Sequence, residues 1–479
     1  MSFARTSAEQ GRGFIAPDFR PGVHRFVRRI GGLYIRLAQG VRSYDVTGME
    51  RFADAMERFQ RHQTRLVVLF RHVAVADGPV VVALADRELP RWCRRAGRAL
   101  PGLSHVHFLY GKDVLNWAGM LARWAFPRMG GIPVTNGRID RESQEAIRQV
   151  VSRGAFPLAF APEGQVTYHQ FEAFPSVAGA ATLPAWAHEY LTRIAPERDG
   201  TRPPDESSSP RVRVEVLPLA IGYTYGRKAR AVLARAVAIL RASLGDPVTP
   251  GLPGDPRACA RLLLELTERI VGVLESEVPL AAEGVIDQPE YDLSRRVELL
   301  CERALEAGER AAGLAGEGSV LSRVFALRYW IMTSKHREDV DLGRVSPLGR
   351  AVAGNRATLA SGVRAFERLA DILEYLHPAY IHERHFAEEI ALDRQMDRLV
   401  EYALNLCDVV NRAGGGDVST RFEPGGRVAR IIVDSPLDAS EVLFSAPSRR
   451  AGIAVLRERV DERFRALVER LMRTETGDR

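Results

Sequence analysis

The chain has 479 residues, of which 46% are hydrophobic and 27% are charged, and its formal net charge is +7. This length exceeds what one hydrophobic core organises and predicts two or three domains, while the composition excludes global disorder. The positive charge favours anionic partners such as phospholipid head groups or phosphorylated substrates, without choosing among them.

The cysteines and the hydropathy pattern predict a cytoplasmic protein. Cys93, Cys259, Cys301 and Cys407 lie far apart and form no CxxC pair, which is typical of free thiols and gives no zinc motif. The first residues contain no apolar core of signal-peptide length. No charge-free apolar run reaches about 18 residues, so we expect the protein to lie at most on a membrane surface.

Residues 1–47 are predicted to form a tail followed by an amphipathic segment. Within 20–42, apolar residues alternate with several arginines. That composition suits a helix lying in a membrane interface, with arginine side chains reaching the head groups. A helix packed against the following domain is the alternative.

Residues 48–245 are predicted to form an α/β domain with a largely parallel sheet, because strand-like segments alternate with helix-like segments. An amphipathic helix at 48–62 precedes the first strand. The strands are predicted at 66–70, 105–109, 130–134, 157–161 and 212–223.

The pattern changes after a proline- and glycine-rich linker at 246–256. Residues 257–479 are predicted to form a mainly helical C-terminal domain. Its long helices are expected at 257–278, 291–313, 355–377, 383–413 and 450–473, with a hairpin at 419–433.

The first segment that could carry chemistry is the end of the apolar run 66–70. His72 follows this run, and Asp77 lies five positions later, just before Gly78 and Pro79. A turn between strand and helix would bring the two side chains together, and a carboxylate on one imidazole nitrogen leaves the other nitrogen to accept a proton. The alternative is that Asp77 caps a helix and His72 is a surface residue.

Three further segments follow predicted strands. A turn contains Pro162, Glu163 and Gly164, which could position an acceptor or form a plain β-turn. A polar loop after 130–134 carries Arg138, a natural phosphate ligand, although the loop could equally be a solvated helix start. In the last segment, Pro218 interrupts the apolar run 212–223.

In their order along the chain, the four segments resemble the glycerolipid acyltransferase family, the lysophosphatidic acid acyltransferases and their relatives. The family's H-x4-D block is matched by His72 and Asp77, and its F-P-E-G-T-R-S block is matched at 161–164. Its G-x-I-P-V-like strand with an arginine-bearing loop is matched at 131–138, and its V-P-[VLI]-like block at 217–219. The resemblance covers about residues 50–240 and does not extend into the C-terminal half.

The resemblance implies an acyltransferase-like α/β domain and transfer of a fatty acyl group from acyl-CoA or acyl-ACP to a glycerolipid hydroxyl, such as that of a lysophospholipid or glycerol phosphate. It implies that His72 is the general base and that Asp77 orients it. Pro162, Glu163 and Gly164 would bind the acceptor, and Arg138 would contact its phosphate. No metal ion or other cofactor is implied, and the expected location is the inner face of the membrane.

The chain departs from the family pattern at two places. Gln165, Val166 and Thr167 stand where Thr-Arg-Ser is usual, and Arg138 is displaced from its usual position directly after the strand. The phosphate of the acceptor is therefore left open. A non-catalytic lipid-associated scaffold is the alternative function, and a hydrolase is a third, although no G-x-S-x-G motif supplies a serine nucleophile.

A further group of basic residues lies between 91 and 98. The cluster Arg91, Arg94, Arg95 and Arg98 could face a membrane or the phosphates of coenzyme A, or it could be a solvated helix face. No reader motif accompanies the charge, so we expect no nucleic-acid partner.

Overall fold

The computed structural model describes residues 14–135, 137, 140–194, 212–247, 251–278, 292–333 and 362–473. The chain forms two compact units. The α/β unit comprises Gly13–Tyr223 and Gly425–Thr476, and the helical unit comprises Thr224–Pro424. The chain therefore leaves the α/β unit, forms the helical unit and then returns.

Eight strands of the described residues form one sheet. They are β1 (Val41–Thr47), β2 (Thr64–Phe70), β3 (His107–Gly111), β4 (Gly131–Val134), β5 (Leu158–Phe160), β6 (Arg213–Thr224), β7 (Arg427–Val433) and β8 (Leu437–Asp438). The order is β1-β7-β6-β2-β5-β3-β4, and β8 pairs antiparallel with β6. Because β2 pairs in parallel with both β5 and β6, the carboxyl ends of these three strands lie side by side.

The helices of the α/β unit connect these strands. They are α1 (Pro21–Leu37), α2 (Met49–Gln60), α3 (Asp77–Ala83), α4 (Leu89–Arg95), α5 (Val114–Trp117), α6 (Gly119–Arg128), α7 (Arg141–Arg153) and α8 (Gly179–Glu189). A π-helical turn, Leu84–Glu88, joins α3 to α4, and another, Tyr190–Ile194, follows α8.

The helical unit contains α9 (Ala229–Ser243), α10 (Pro256–Glu277), α11 (Leu293–Ala312), α12 (Val320–Thr333), α13 (Val363–Leu373) and α14 (Leu392–Ala413). Asp255 and Asp292 accept hydrogen bonds from backbone N–H groups at the starts of α10 and α11, as aspartate caps do. The returning segment adds α15 (Ala439–Phe444) and α16 (Arg449–Arg473) to the α/β unit.

The central strand β2 is buried on both faces, which is typical of a parallel sheet covered by helices on each side. Its side chains alternate between two cores. Leu66 and Val68 pack with residues of α2 and α3, whereas Val67 and Leu69 pack with residues of α7, α8 and α16.

The fold class was predicted correctly at the level of a mixed α/β chain with a mostly parallel sheet. The five predicted strands correspond to β2 to β6, and the predicted amphipathic helices at 20–42 and 48–62 correspond to α1 and α2. Residues 355–361 of one predicted helix lie outside the described residues, and α14 begins at Leu392 rather than at 383.

The predicted domain boundaries differ from the observed division. The segment 1–47 contains the edge strand β1, and residues 425–476 belong to the α/β unit rather than to the helical one.

The prediction of a hairpin at 419–433 is wrong, because β7 pairs in parallel with β1, with Val41 opposite Arg427. A strand whose partner lies near the opposite end of the chain leaves no local signal from which to predict the pairing.

No helix in the described ranges is both long enough and apolar enough to cross a membrane.

His107 on β3 is a buried histidine that the fold keeps neutral. Its Nδ1–H donates to the carbonyl oxygen of Gly130 at 2.9 Å, and its ring lies 5.5 Å from that of Phe156. Burial, as the largest effect, lowers the pKa of His107 from 6.5 to about 4. Unfolding therefore takes up a proton below pH 6.5, so this group's contribution to stability is present above that pH and is lost as pH falls toward 4.

We expect the free energy of unfolding to fall by about 2 kcal/mol more in the wild type than in His107→Asn between pH 7 and pH 5. Asparagine retains a donor to Gly130 but does not titrate. Urea denaturation at the two pH values measures this difference. Equal pH dependence in the two proteins would contradict the assignment.

Candidate active site

His72 and Asp77 meet in the turn between β2 and α3. The imidazole Nδ1 of His72 lies 3.1 Å from Oδ2 of Asp77. Asp77 is fully buried, whereas 23% of the His72 side chain is exposed. In the strand order, β5, β3 and β4 lie on one side of β2 and β6 on the other, so the connections diverge at β2. The carboxyl end of a strand at such a point is where open α/β sheets bind ligands.

The Asp77 carboxylate accepts hydrogen bonds from three donors. Besides His72, the backbone N–H of Ala74 donates to Oδ2 at 2.7 Å, and the hydroxyl of Tyr223 donates to Oδ1 at 2.5 Å. The N-cap residue of α3 is Ala76, and among the described residues the Asp77 side chain forms no capping hydrogen bond to this helix. Asp77 is therefore the first residue of the helix without capping it, and its carboxylate contacts the imidazole of His72 instead.

These contacts fix the tautomer of His72. An ionised carboxylate can only accept, so the proton shared with Asp77 belongs to His72 Nδ1, and the lone pair lies on Nε2. Among the residues that the structure describes, none forms a hydrogen bond with Nε2. The partly exposed ring can thus accept a proton from a group outside the chain.

Arg71, directly before His72, is one of the most deeply buried side chains of the α/β unit. Its Nε donates to Oε1 of Glu163 at 2.9 Å, and its Nη2 donates to the carbonyl oxygens of His169 and Glu172. Arg71 thereby fastens the loop after β5 to the end of β2. Arg71 was not identified from the sequence as a site residue, although a basic residue at the end of an apolar strand is a visible signal.

Glu163 lies in this loop as predicted, but its carboxylate is buried against Arg71. Oε1 accepts from the guanidinium, and the buried Oε2 forms no hydrogen bond with any residue that the structure describes. Neither carboxylate oxygen is therefore open to an acceptor in this conformation. Gly164 next to it adopts a φ of +79°, which favours glycine at this turn. The carbonyl oxygen of Pro162 accepts a hydrogen bond from the N–H of Val177.

Thr167 holds the backbone of His72. Its N–H and its Oγ1 both donate to the carbonyl oxygen of His72, at 2.7 and 3.1 Å. Thr167 stands in the segment where the chain departs from the family pattern. That segment contributes a positioning residue rather than a basic ligand.

Arg138 lies outside the described residues, so its predicted phosphate contact has no structural counterpart. Asp140 beyond it caps α7 by accepting from the N–H of Ser143 at 2.8 Å, and it also accepts from Nζ of Lys112. Burial opposes ionisation of Asp140, but Lys112 and the Ser143 N–H hold its pKa below the ordinary value. Lys112 is therefore a further cation near the start of α7, but its ammonium group is already paired with Asp140.

The arginine cluster on α4 and in the segment directly after it divides into paired and exposed members. Arg91 pairs with Glu88, and Arg98 pairs with Asp54 and Glu57. Arg94 and Arg95 are exposed. Half of the cluster is thus committed to neighbouring carboxylates.

Tyr223 was not identified from the sequence. It lies near the end of β6, five residues after Pro218 of the fourth block, and the parallel pairing of β6 with β2 brings it to Asp77. A tyrosine at the end of an apolar strand is an ordinary core residue in sequence terms. Its role follows only from the strand order.

No protein-family model matches the chain, and no curated protein matches its sequence.

The Tyr223–Asp77 hydrogen bond should appear as an energetic coupling. Tyr223→Phe removes a donor to a buried charge, so the free energy of unfolding should fall by about 1.5–3 kcal/mol in the wild-type background. In the Asp77→Ala background the same change should have little effect. Urea denaturation of the four proteins of this double-mutant cycle gives the coupling energy.

Tyr225→Phe is the matched control, because the Tyr225 hydroxyl donates to the carbonyl oxygen of Pro424 and not to Asp77. Its effect should be the same with and without Asp77. Additive effects of Tyr223→Phe and Asp77→Ala would mean that the hydrogen bond does not hold the carboxylate.

Proposed function

We propose that the chain is an O-acyltransferase that moves a fatty acyl group from an acyl thioester, acyl-CoA or acyl-ACP, to a hydroxyl of a glycerolipid such as a lysophospholipid or glycerol phosphate. The observation that carries the proposal is the His72–Asp77 hydrogen bond, with Nδ1 toward the carboxylate and Nε2 left to an external group. The arrangement is that of a general base and the carboxylate that orients it, and no described side chain bonds to Nε2 as a nucleophile of the chain would.

In the proposed reaction, Nε2 of His72 removes the proton of the acceptor hydroxyl while its oxygen attacks the thioester carbonyl carbon. Asp77 stabilises the imidazolium that forms. The tetrahedral intermediate then collapses, the carbon–sulfur bond breaks, and the proton on Nε2 passes to the departing sulfur. The products are an ester and a free thiol, and the base is regenerated.

The acceptor's phosphate would be met by positive charge near the loops that follow β4 and β5. Arg138 is the candidate ligand, because Arg71 is buried and already bound to Glu163. Thr167 is occupied with the carbonyl oxygen of His72. The proposal therefore places recognition of the head group on Arg138 rather than on the segment 165–167.

A peripheral position on the inner face of the membrane fits the surface of α1 and α6. Large apolar side chains are exposed on both helices, namely Phe26, Leu33, Tyr34, Leu37, Met120 and Trp124. The rings of Phe26 and Trp124 lie 6.4 Å apart, so the two helices contribute to one surface. Arg25, Arg29 and Arg36 are exposed on α1. Apolar side chains among arginines are typical of helices that bind anionic lipid surfaces.

One observation favours the alternative of a non-catalytic, lipid-associated scaffold. Glu163, a residue that the resemblance assigns to acceptor binding, is buried against Arg71. If this pair never opens, the acyltransferase fold would serve association with lipid alone. Turnover distinguishes the two functions.

The test is release of free thiol from long-chain acyl-CoA by the purified protein, with lysophosphatidic acid presented in anionic vesicles. His72→Ala should lower the rate about 10²–10⁴-fold, because it removes the general base. Asp77→Asn should also lower it, since the amide no longer fixes the tautomer. His62→Asn is the control: His62 is exposed, and asparagine tolerates its positive φ.

Equal rates for the wild type and His72→Ala would contradict the mechanism. Vesicle binding without thiol release from acyl-CoA, whether lysophosphatidic acid, another lysophospholipid or glycerol 3-phosphate is the acceptor, would favour the scaffold. Fatty acid release in the absence of any acceptor would indicate a hydrolase.

A further inference from the structure

A second group of titratable side chains lies inside the α/β unit, in elements that the proposed reaction does not use. His24 on α1, Asp86 in the π-helical turn 84–88 and His105 before β3 are all buried. One side-chain ligand atom from each residue lies within 4.8 Å of the other two. Two imidazoles and one carboxylate are a donor set that zinc and similar transition-metal ions prefer.

The hydrogen bonds of His105 require a cation between its ring and Asp86. Nε2 of His105 lies 2.8 Å from the carbonyl oxygen of Met129, which can only accept, so Nε2 carries a proton. Nδ1 lies 2.7 Å from Oδ1 of Asp86. Without a second proton, this contact would join a lone pair to a carboxylate. Either a proton or a metal ion must therefore lie there.

His24 favours the metal ion over the proton. Its Nε2 is buried and lies 3.1 Å from Oδ2 of Asp86, yet it forms no hydrogen bond with any residue that the structure describes. One proton on His105 satisfies the contact of that ring with Asp86 and leaves Nε2 of His24 beside the carboxylate without a hydrogen bond. One metal ion would satisfy both nitrogens and the carboxylate together.

The surroundings are those of a supported metal site. The carbonyl oxygen of Met129 fixes the ring of His105 from the far side, as second-shell acceptors do for histidine ligands. The rings of Phe19 and Phe156 lie 5.0 and 4.9 Å from that of His105 and limit access of water. The carboxylate projects from a π-helical turn, and such turns occur frequently at functional sites.

We propose that His24, Asp86 and His105 bind one divalent transition-metal ion, with zinc the best chemical match. The ion would have a structural role, because its ligands come from α1, the turn after α3 and the segment before β3. It would fasten α1, which carries the exposed apolar and basic side chains, to the body of the α/β unit.

The experiment uses the full-length protein, treated with a chelator and then titrated with Co²⁺ as a spectroscopic substitute for zinc. The wild type should bind one equivalent and develop the visible absorption of a low-coordinate Co²⁺ site. Zinc should displace the cobalt and raise the melting temperature. His24→Gln should weaken binding by at least about tenfold, because it removes one of three ligands.

His107→Asn is the matched control, because His107 is also buried beside Phe156 but bonds to Gly130 instead of the cluster. It should leave the cobalt spectrum unchanged. Absence of the visible bands in the wild type would overturn the proposal and leave a protonated His105 paired with Asp86. Bands that persist unchanged in His24→Gln would overturn it equally. Neither readout depends on folding of an Asp86 variant or on enzymatic activity.

Discussion

The buried carboxylate of Asp77 is the interaction on which the site depends. A charge without solvent is stable only when its oxygens are satisfied, and here the donors come from three places: the Ala74 backbone, the His72 ring and the Tyr223 hydroxyl. Because these donors belong to the turn after β2 and to β6, the carboxylate couples the geometry of the imidazole to the pairing of the two strands.

A second buried charge, that of Arg71, holds the loop after β5 in place beside His72. Arg71 links the end of β2 to Glu163 and to two carbonyl oxygens of the loop after β5, and Thr167 in that loop holds the carbonyl oxygen of His72. Removing one partner of a buried ion pair typically costs about 3–5 kcal/mol, so the loop and the strand are expected to stay together. His72 is thus held through its ring and through its backbone.

Local patterns were sufficient to predict much of this arrangement. The alternation of strands and helices predicts β2 to β6, and the His72-x4-Asp77 spacing after an apolar strand predicts the turn in which the two side chains meet. Tyr223 and β7 could not be predicted, because their roles arise from strand order and from pairing between distant segments. The cluster around Asp86 could not be predicted from the sequence either, because its two histidines lie far apart in the chain and share no motif spacing with Asp86.

The tautomer of His72 decides whether Asp77 prepares the imidazole as a general base. In protein labelled with ¹⁵N-histidine, with His72→Gln used to assign the signals, we predict a protonated Nδ1 and an unprotonated Nε2 at neutral pH. Asp77→Asn should abolish this preference. A wild-type ring protonated at Nε2, or one divided equally between the two tautomers, would contradict the claim that Asp77 prepares His72 as a base.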